Sequence, residues 1–254
     1  MGSSTGRDHW DSHWNEYAAS AAVNPAQEYR RRLILHLLAA HGSPKRFLDV
    51  GAGTGELAAE VRAAFPEAEI VGLELSAIGT ELARRRVPNA KFIQRDLLET
   101  RKPPPELRGY ATHAVCSEVL EHVEQPELLL AGVLPYLAPG CQLVVTVPGG
   151  PMSAFDRHIG HRTHYTPRRL AALLEQAGFE VERATGAGFP FFNLYRLSVV
   201  LRGERLTEDV AGGSGPLAAR FAMRVFRFLF RLNVGSSRWG WQTIALARMP
   251  GQAT

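Results

Sequence analysis

The sequence predicts an α/β protein in which a mostly parallel sheet is covered by helices on both faces. Short apolar runs alternate with helical segments between about residues 46 and 147, an alternation typical of parallel sheets. Each run is apolar almost throughout, as expected for a strand buried on both faces. The chain has 254 residues, of which 45% are hydrophobic and 21% charged. This is the composition of a globular protein, and we expect one domain over residues 1–254.

The order of strands and helices follows from hydrophobic periodicity and from residues that end helices. The predicted strands are Arg46–Val50, Ile70–Leu73, Lys91–Gln94, Thr112–Cys116 and Gln142–Val147. The predicted helices are Ala26–Ala40, Glu56–Ala64, Ala77–Arg86 and Pro126–Leu137. Residues 101–109 are rich in proline and charge and predict a loop.

Composition and charge exclude several classes of protein. Cys116 and Cys141 lie in apolar runs and give neither a disulfide framework nor zinc-ligand spacing, so we expect a reducing, cytoplasmic location. The net charge of +4 is compatible with an anionic substrate but does not argue for nucleic acid. The N-terminal residues lack the apolar core of a signal peptide, and arginines interrupt the apolar stretches, so no membrane-spanning segment is predicted.

The segment Asp49–Gly55 stands where a nucleotide-binding loop is expected, between the first strand and a helix. Glycines let the backbone approach a ligand closely, and a helix N-terminus offers free N–H groups. The G-x-G-x-G spacing differs from the dinucleotide fingerprint, and no P-loop lysine follows. Acidic residues end the next two strands: Glu74, placed to bind a ribose diol, and Asp96, placed to accept from an adenine amino group. A nucleoside cofactor is therefore predicted, with a simple tight turn as the alternative.

Four segments resemble, in order and spacing, the motifs of class I S-adenosylmethionine-dependent methyltransferases. They are Asp49–Gly55, Gly72–Ser76, Arg95–Leu97 and Ser117–Val123. The resemblance implies S-adenosylmethionine as cofactor and a Rossmann-like sheet of seven strands, whose last strand is antiparallel. It also implies the cofactor contacts. These are Asp49, Gly51 and Gly53 for the methionine part, Glu74 with Leu75 beside it for the ribose, and Asp96 and Leu97 for the adenine.

A second group of polar residues follows the fourth strand, at the sheet edge where ligands of such folds bind. It reads Glu118-Val119-Leu120-Glu121-His122, and a histidine-rich stretch after the fifth strand should reach the same edge. Glu-x-x-Glu-His with a distant histidine resembles the divalent-metal site of two methyltransferase groups. One comprises the small-RNA 3′-terminal 2′-O-methyltransferases, and the other the ubiquinone-pathway catechol O-methyltransferases. This resemblance implies Glu118, Glu121, His122 and His161 as ligands of Mg²⁺ or Mn²⁺.

Two interpretations without a metal remain open. Leu-Glu-His-Val after the fourth strand also occurs in metal-free members of the superfamily, where the acid and the imidazole shape the pocket. Alternatively, a histidine near neutral pH would act as general base. The candidates for that role are His122, His161 and His158.

Helical segments are predicted at both ends of the motif region. Residues 1–41 should form a helical cover in which Trp10, Trp14 and Tyr17 recur at helical spacing. We expect these aromatics to pack the cover, with Tyr17 as the candidate to reach the cofactor.

Residues 189–238 form an insertion before the last strand, with helices predicted at Phe191–Leu201 and Pro216–Leu232. The second carries arginines at helical spacing. Four roles for this helix remain open: a solvated face, a dimer interface, a substrate lid, or peripheral membrane contact through residues 216–232.

The sequence therefore predicts methyl transfer to a small-molecule acceptor, with an oxygen favoured and with or without a divalent metal. Displacement at a sulfonium needs alignment and exclusion of water rather than a protein nucleophile. One alternative is 2′-O-methylation of RNA, although no RNA-binding domain or strong basic excess is evident. Another is a catalytically silent, cofactor-binding interaction protein. DNA is not an expected substrate, because no Asn/Asp-Pro-Pro-aromatic motif follows the fourth strand.

Overall fold

A computed structural model of the chain describes residues 10, 11, 14, 24–40, 42–100, 102–202 and 217–251. Within them, seven strands form one sheet: β1 (Arg46–Val50), β2 (Glu69–Glu74), β3 (Lys91–Gln94), β4 (Ala111–Ser117), β5 (Leu137–Pro148), β6 (Glu180–Ala187) and β7 (Gln242–Arg248). The helices described are α1 (Pro25–Ala40), α2 (Glu56–Ala64), α3 (Ala77–Arg86), α4 (Pro126–Val133), α5 (Ala154–His158), α6 (Pro167–Gln176), α7 (Phe191–Arg202) and α8 (Leu217–Leu229).

The sheet has the strand order β3-β2-β1-β4-β5-β7-β6. β7 runs antiparallel to both of its neighbours, whereas the other neighbouring strands are parallel. The predicted fold class, including the antiparallel last strand, is confirmed. The order of strands along the chain reverses between β1 and β4, which places a crevice outside the carboxyl ends of these two strands. The loops that follow β1 and β4 therefore define the expected ligand site.

Side chains of β1 alternate between two apolar cores, one on each face of the sheet. Leu48 and Val50 belong to the core that includes the buried side of α6. Phe47 belongs to the opposite core, which includes the buried side of α1. Because both faces are covered, the strand is apolar almost throughout, and this is the feature from which it was predicted.

The main difference from the predicted boundaries lies between α4 and β5. The helix predicted to reach Leu137 ends at Val133, and a 3₁₀ turn covers Leu134–Tyr136, because Pro135 lacks the N–H that would continue the α-helix. β5 then begins at Leu137, and its pairing with β4 is irregular near this start. The segment Ala138-Pro139-Gly140, from which the sequence predicts the end of the helix, therefore lies within an irregular strand.

The insertion before β7 packs on α1. A cluster of buried aromatic side chains joins Tyr29 of α1 to Phe192 and Tyr195 of α7 and to Phe230 beyond α8. The rings of Tyr29 and Phe230 lie 5.5 Å apart, within the range of favourable aromatic contacts. The two helices predicted for the insertion are therefore present, and α1 holds them in place.

Candidate functional site

The loop between β1 and α2, here called the glycine loop, has a backbone that glycine adopts readily. Gly51 and Gly53 have φ angles of 73° and 55°, in the left-handed region. The N–H of Gly51 donates to the carbonyl of Leu73 at 2.8 Å, which ties the loop to β2. A Cβ atom at Gly51 would overlap the side chain of Val119, in the loop after β4. The two loops of the expected site are therefore in direct contact.

Glu74, the residue predicted to bind ribose, lies buried beside the glycine loop. Its carboxylate accepts hydrogen bonds from the N–H groups of Gly53 at 2.7 Å and Ser76 at 2.9 Å. Burial raises the pKa of Glu74, and the hydrogen bonds to its carboxylate oppose that rise. Glu74 thus stabilises the loop conformation, and a ligand at this carboxylate would share it with two backbone amides.

Asp49, the next-to-last residue of β1, has a buried carboxylate with one unpaired oxygen. The residue is 2% exposed, and no described residue donates a hydrogen bond to its Oδ2. Burial, followed by the charges of Glu74 and Glu56, raises the pKa of Asp49 to about 7. A buried polar atom left unsatisfied costs on the order of 1–3 kcal/mol. The amino group of S-adenosylmethionine has the charge and the N–H donors that this oxygen lacks, so the residues present fit the cofactor.

A cavity of about 330 Å³ opens between the ends of β2 and β3, a volume within the range of small-molecule sites. It is lined by Asp11, Leu75, Ser76, Gln94, Arg95, Asp96 and Glu99. Two of the residues predicted for the adenosine part, Leu75 and Asp96, are among them. The side chain of Leu97 packs in the core on one face of the sheet, which leaves its backbone to contact the adenine.

Aromatic side chains from the N-terminal segment lie against the site. A Cβ at Gly53 would come within 2.9 Å of the Trp14 ring. The ring of Trp10 lies 4.8 Å from that of His122 and 6.4 Å from that of Trp14. The sequence placed these tryptophans in a packed cover, and the structure adds that they connect the glycine loop with His122. Tyr17, predicted to reach the cofactor, lies outside the described residues.

Glu118, predicted as a metal ligand, is engaged elsewhere. Its backbone has φ of 57°, which is uncommon for a residue other than glycine. Its Oε1 accepts hydrogen bonds from Gln242 at 2.9 Å and Thr146 at 3.2 Å, and its Oε2 lies 3.5 Å from the guanidinium of Arg30. Glu118 is absent from the groups of converging ligand atoms among the described residues. The structure therefore differs from the predicted ligand set at this position.

Glu121, His122 and His161 do converge. One possible ligand atom from each lies within 4.8 Å of the others, as expected for ligands that share an ion at about 2.0–2.3 Å. Glu121 is fully buried, and no other described residue donates a hydrogen bond to either carboxylate oxygen. Burial, followed by the charge of Glu118, raises the pKa of Glu121 well above its usual value. A cation would satisfy this carboxylate, so these three residues fit a divalent metal.

The histidine-rich segment after β5 is anchored by a buried ion pair. Asp156 accepts two hydrogen bonds from Arg196 of α7, at 3.1 and 2.9 Å. His161 lies 3.9 Å from Asp156 and 3.2 Å from His164. Burial, followed by the charge of neighbouring His122, lowers the pKa of His161 to about 3. His161 is therefore a neutral imidazole at neutral pH, able to donate its lone pair.

Two outcomes in this region differ from the prediction. His158, a candidate base, is exposed on α5 and is not brought into the cluster. Arg196 was not predicted as a site residue. It is the one charged residue in the predicted helix Phe191–Leu201, and a single charge in an otherwise uncharged helix could have indicated a buried ion pair. Asp156, His161 and His164 form a second converging group, but Arg196 already neutralises Asp156. The group around Glu121 therefore suits a cation better.

The fold and the loops at its carboxyl edge are those of a class I methyltransferase, and the comparison with known families agrees. A family profile described as "Methyltransferase domain" matches residues 24–184. The chain belongs to this family and, as its motifs implied, to the class I S-adenosylmethionine-dependent methyltransferases. A similar solved structure is phosphoethanolamine N-methyltransferase 2 of Haemonchus contortus in complex with S-adenosyl-L-methionine. It matches with a TM-score of 0.69 and 16% identity, over 98% of this chain and 61% of that chain.

Two relatives with assigned functions share part of the sequence. Over 167 residues the chain is 29% identical to trans-aconitate 2-methyltransferase of Methylobacterium nodulans, covering 64% of this chain and 60% of that protein. Over 144 residues it is 30% identical to malonyl-[acyl-carrier protein] O-methyltransferase of Halalkalibacterium halodurans, covering 56% of this chain and 52% of that protein. The chain therefore matches between half and three-fifths of the length of these relatives.

Proposed function

We propose that the chain is an S-adenosylmethionine-dependent methyltransferase that acts on an oxygen of a small-molecule acceptor. The observation that carries this proposal is the contact between Gly51 and Val119. It brings the candidate cofactor loop directly against the loop that carries Glu121 and His122. A methyl donor held at the first loop would face an acceptor held at the second, as a one-step displacement requires.

In this proposal the cofactor residues divide along the edge of the sheet. Asp49 and the backbone of Gly51–Gly53 hold the methionine part, Glu74 holds the ribose, and Leu75 and Asp96 line the space for the adenine. The cofactor supplies an electrophilic methyl group on a sulfonium. The buried carboxylates of Asp49 and Glu74 offer negative charge to this positively charged ligand, which supports the assignment.

We assign the candidate metal site to Glu121, His122 and His161. A divalent ion supplies Lewis acidity, which lowers the pKa of an acceptor hydroxyl. The low pKa of His161, about 3, favours a ligand over a general base, because an imidazole that resists protonation is a weak base and a suitable neutral ligand. Acceptors with two adjacent oxygens, such as catechols and vicinal diols, suit this arrangement.

A second class of acceptor is suggested by the relatives. They are named for trans-aconitate and malonyl-[acyl-carrier protein], both of which carry carboxylate groups. A carboxylate also presents two oxygens to a cation and needs no general base, because it is already ionised at neutral pH. Carboxylate compounds therefore belong in any acceptor panel beside catechols and diols.

The test is transfer of a labelled methyl group from S-adenosylmethionine to catechols, vicinal diols, di- and tricarboxylates, a cell extract and an RNA oligonucleotide. Label on an oxygen of a small molecule supports the proposal, whereas label on RNA alone contradicts it. Tight cofactor binding with no transfer to any acceptor would indicate a silent binding protein. Glu121→Gln should abolish transfer, and His158→Ala is the matched control, because His158 is exposed outside the cluster.

A further inference from the structure

The outer side of α8 carries large apolar side chains that the protein leaves exposed. Phe221, Val225, Phe228 and Leu232 are 70%, 39%, 61% and 59% exposed. Their spacings of four, three and four residues place them along one side of α8 and of the 3₁₀ turn Phe230–Leu232 that follows it. We call these four residues the apolar row. Phe226 of α8 and Phe230 of the 3₁₀ turn pack into the aromatic cluster on α1, so the apolar row is not part of a core.

Arginines run beside the apolar row. Arg224, Arg227 and Arg231 each precede a member of the row by one position, which turns their side chains about 100° around the helix. Residues 217–232 contain no aspartate or glutamate. Arg227 pairs with Glu28 of α1 at 2.7 Å. No described residue forms an ion pair with Arg224 or Arg231, so the surface combines positive charge with exposed apolar area.

The neighbouring helix α7 adds exposed leucines to the insertion. Leu194, Leu197 and Leu201 are 52%, 40% and 77% exposed, and they recur at helical spacing. α7 and α8 contact each other through Tyr195 and Phe226, whose rings lie 5.3 Å apart. Single exposed leucines need no explanation. Here the leucines of α7 and the apolar row of α8 are exposed on two adjacent helices, which indicates an interaction surface.

We infer that the outer side of α8 binds the headgroup region of an anionic lipid bilayer. The apolar row would enter the boundary between headgroups and acyl chains, while Arg224 and Arg231 would contact lipid phosphates. Helices that lie in the plane of a membrane surface bind in the same way, with apolar side chains inserted and cationic side chains at the anionic headgroups. Among the described residues, no helix combines the length and apolar character needed to cross a bilayer.

A second copy of the chain is the competing occupant, and charge disfavours it. In a two-fold pair with antiparallel α8 helices, the arginines of one helix would lie beside the arginines of the other. Glu28 already pairs with Arg227, and residues 217–232 offer no acidic side chain. Arg224 and Arg231 of the two copies would therefore face like charges without compensation. Anionic lipid phosphates supply the opposite charge, so a lipid surface matches both the apolar and the cationic parts of this helix.

The test is co-sedimentation of the full chain with lipid vesicles. We expect binding to phosphatidylcholine vesicles that contain phosphatidylglycerol, much weaker binding to pure phosphatidylcholine, and a loss of binding as salt is raised. Each arginine near an anionic surface contributes roughly fivefold to partitioning, so R224E with R231E should reduce it by at least about 25-fold. F228S with L232S should also reduce it strongly, because apolar area is lost.

A matched control reverses the same number of charges elsewhere. Arg85 and Arg108 are exposed outside the insertion, and R85E with R108E should retain most of the binding. All of these positions are on the surface, and circular dichroism should show that every variant is folded. Retained binding by R224E with R231E, equal binding to both vesicle types, or no binding at low salt would overturn the proposal. A dimer in light scattering that F228S with L232S converts to a monomer, without vesicle binding by the parent chain, would identify the second copy instead.

Discussion

The guanidinium group of Arg196 forms two hydrogen bonds, of 3.1 and 2.9 Å, with the buried carboxylate of Asp156. Arg196 lies in α7 of the insertion, and Asp156 lies in α5, just before His161. Burial raises the pKa of Asp156, but the hydrogen bonds and charge of Arg196, together with hydrogen bonds from Ser153, outweigh it and lower the pKa to about 2. One ion pair therefore links the insertion to the segment that carries a candidate metal ligand.

Removal of Arg196 would leave the charge of Asp156 buried without a partner. We expect Arg196→Ala to lower the free energy of unfolding by about 3–5 kcal/mol, the usual cost of breaking a buried pair. Denaturant titration measures this change. Arg248→Ala is the matched control, because Arg248 pairs with Glu180 at 3.0 Å on the surface, where the loss should stay within about 1 kcal/mol. Equal losses in both variants would contradict a structural role for the buried pair.

The sheet was predictable because its strands are local apolar runs, and the bounds of β1 and β3 agree with the predicted ones. The candidate site was predicted only in part, because several of its contacts join distant parts of the chain. Gln242 reaches Glu118 across 124 residues, and Arg196 reaches Asp156 across 40. Pairing of β5 with β7 and packing of the insertion create these contacts. The local hydrophobic pattern of the sequence does not indicate which distant residues will meet.

The contact between the glycine loop and the β4 loop predicts a coupled pair of substitutions. Gly51 has φ of 73°, a backbone conformation that is strained for residues with a side chain. An added Cβ at this position would also overlap the side chain of Val119. We expect Gly51→Ala to weaken S-adenosylmethionine binding at least about tenfold, and Val119→Ala in the same chain to restore part of the affinity by removing the overlapping methyl group. Calorimetry of both single variants and the double variant measures the coupling. Strictly additive losses would show that the loops do not interact here.

The pKa of Asp49, about 7, predicts that cofactor binding depends on pH. Without ligand the carboxyl group is largely protonated below pH 7, whereas a cationic ligand favours its ionised form. Binding should therefore release a proton, and affinity should fall as pH is lowered from about 8 to about 6. The ligand-free chain should show the opposite trend. A raised pKa makes the Asp49 contribution to stability increase as pH falls from about 7 towards the usual aspartate value.

Calorimetry in buffers of different ionisation enthalpy counts the released protons. Asp49→Asn should bind S-adenosylmethionine more weakly and lose this part of the pH dependence, because the amide does not titrate. An unchanged proton release in Asp49→Asn would assign the effect to another group, of which buried Glu74 is the nearest candidate.

The proposed metal site at Glu121, His122 and His161 can be tested without the reaction. We expect the chelator-treated chain to bind Mn²⁺ in calorimetry, and Glu121→Gln to reduce the affinity at least about tenfold, since it removes the one anionic ligand of the three. Glu118→Gln is the matched control from the same loop. The carboxylate of Glu118 is occupied by Gln242, so its loss should matter less. A larger effect of Glu118→Gln would restore Glu118 to the ligand set.

Activity measurements then separate the metal from a histidine base. We expect excess chelator to abolish methyl transfer and added Mg²⁺ or Mn²⁺ to restore it. His161→Ala should reduce transfer at least about 10–100-fold, the loss that follows even when only a partner supporting a metal ligand is removed. His158→Ala should have little effect, because His158 is exposed whereas the side chain of His161 is 8% exposed and points into the cluster. Full activity in excess chelator would contradict the metal. His161 would then be a weaker candidate for the base than His122, because burial and the charge of His122 lower the pKa of His161. A pH–rate profile that rises near neutral pH would then point to His122.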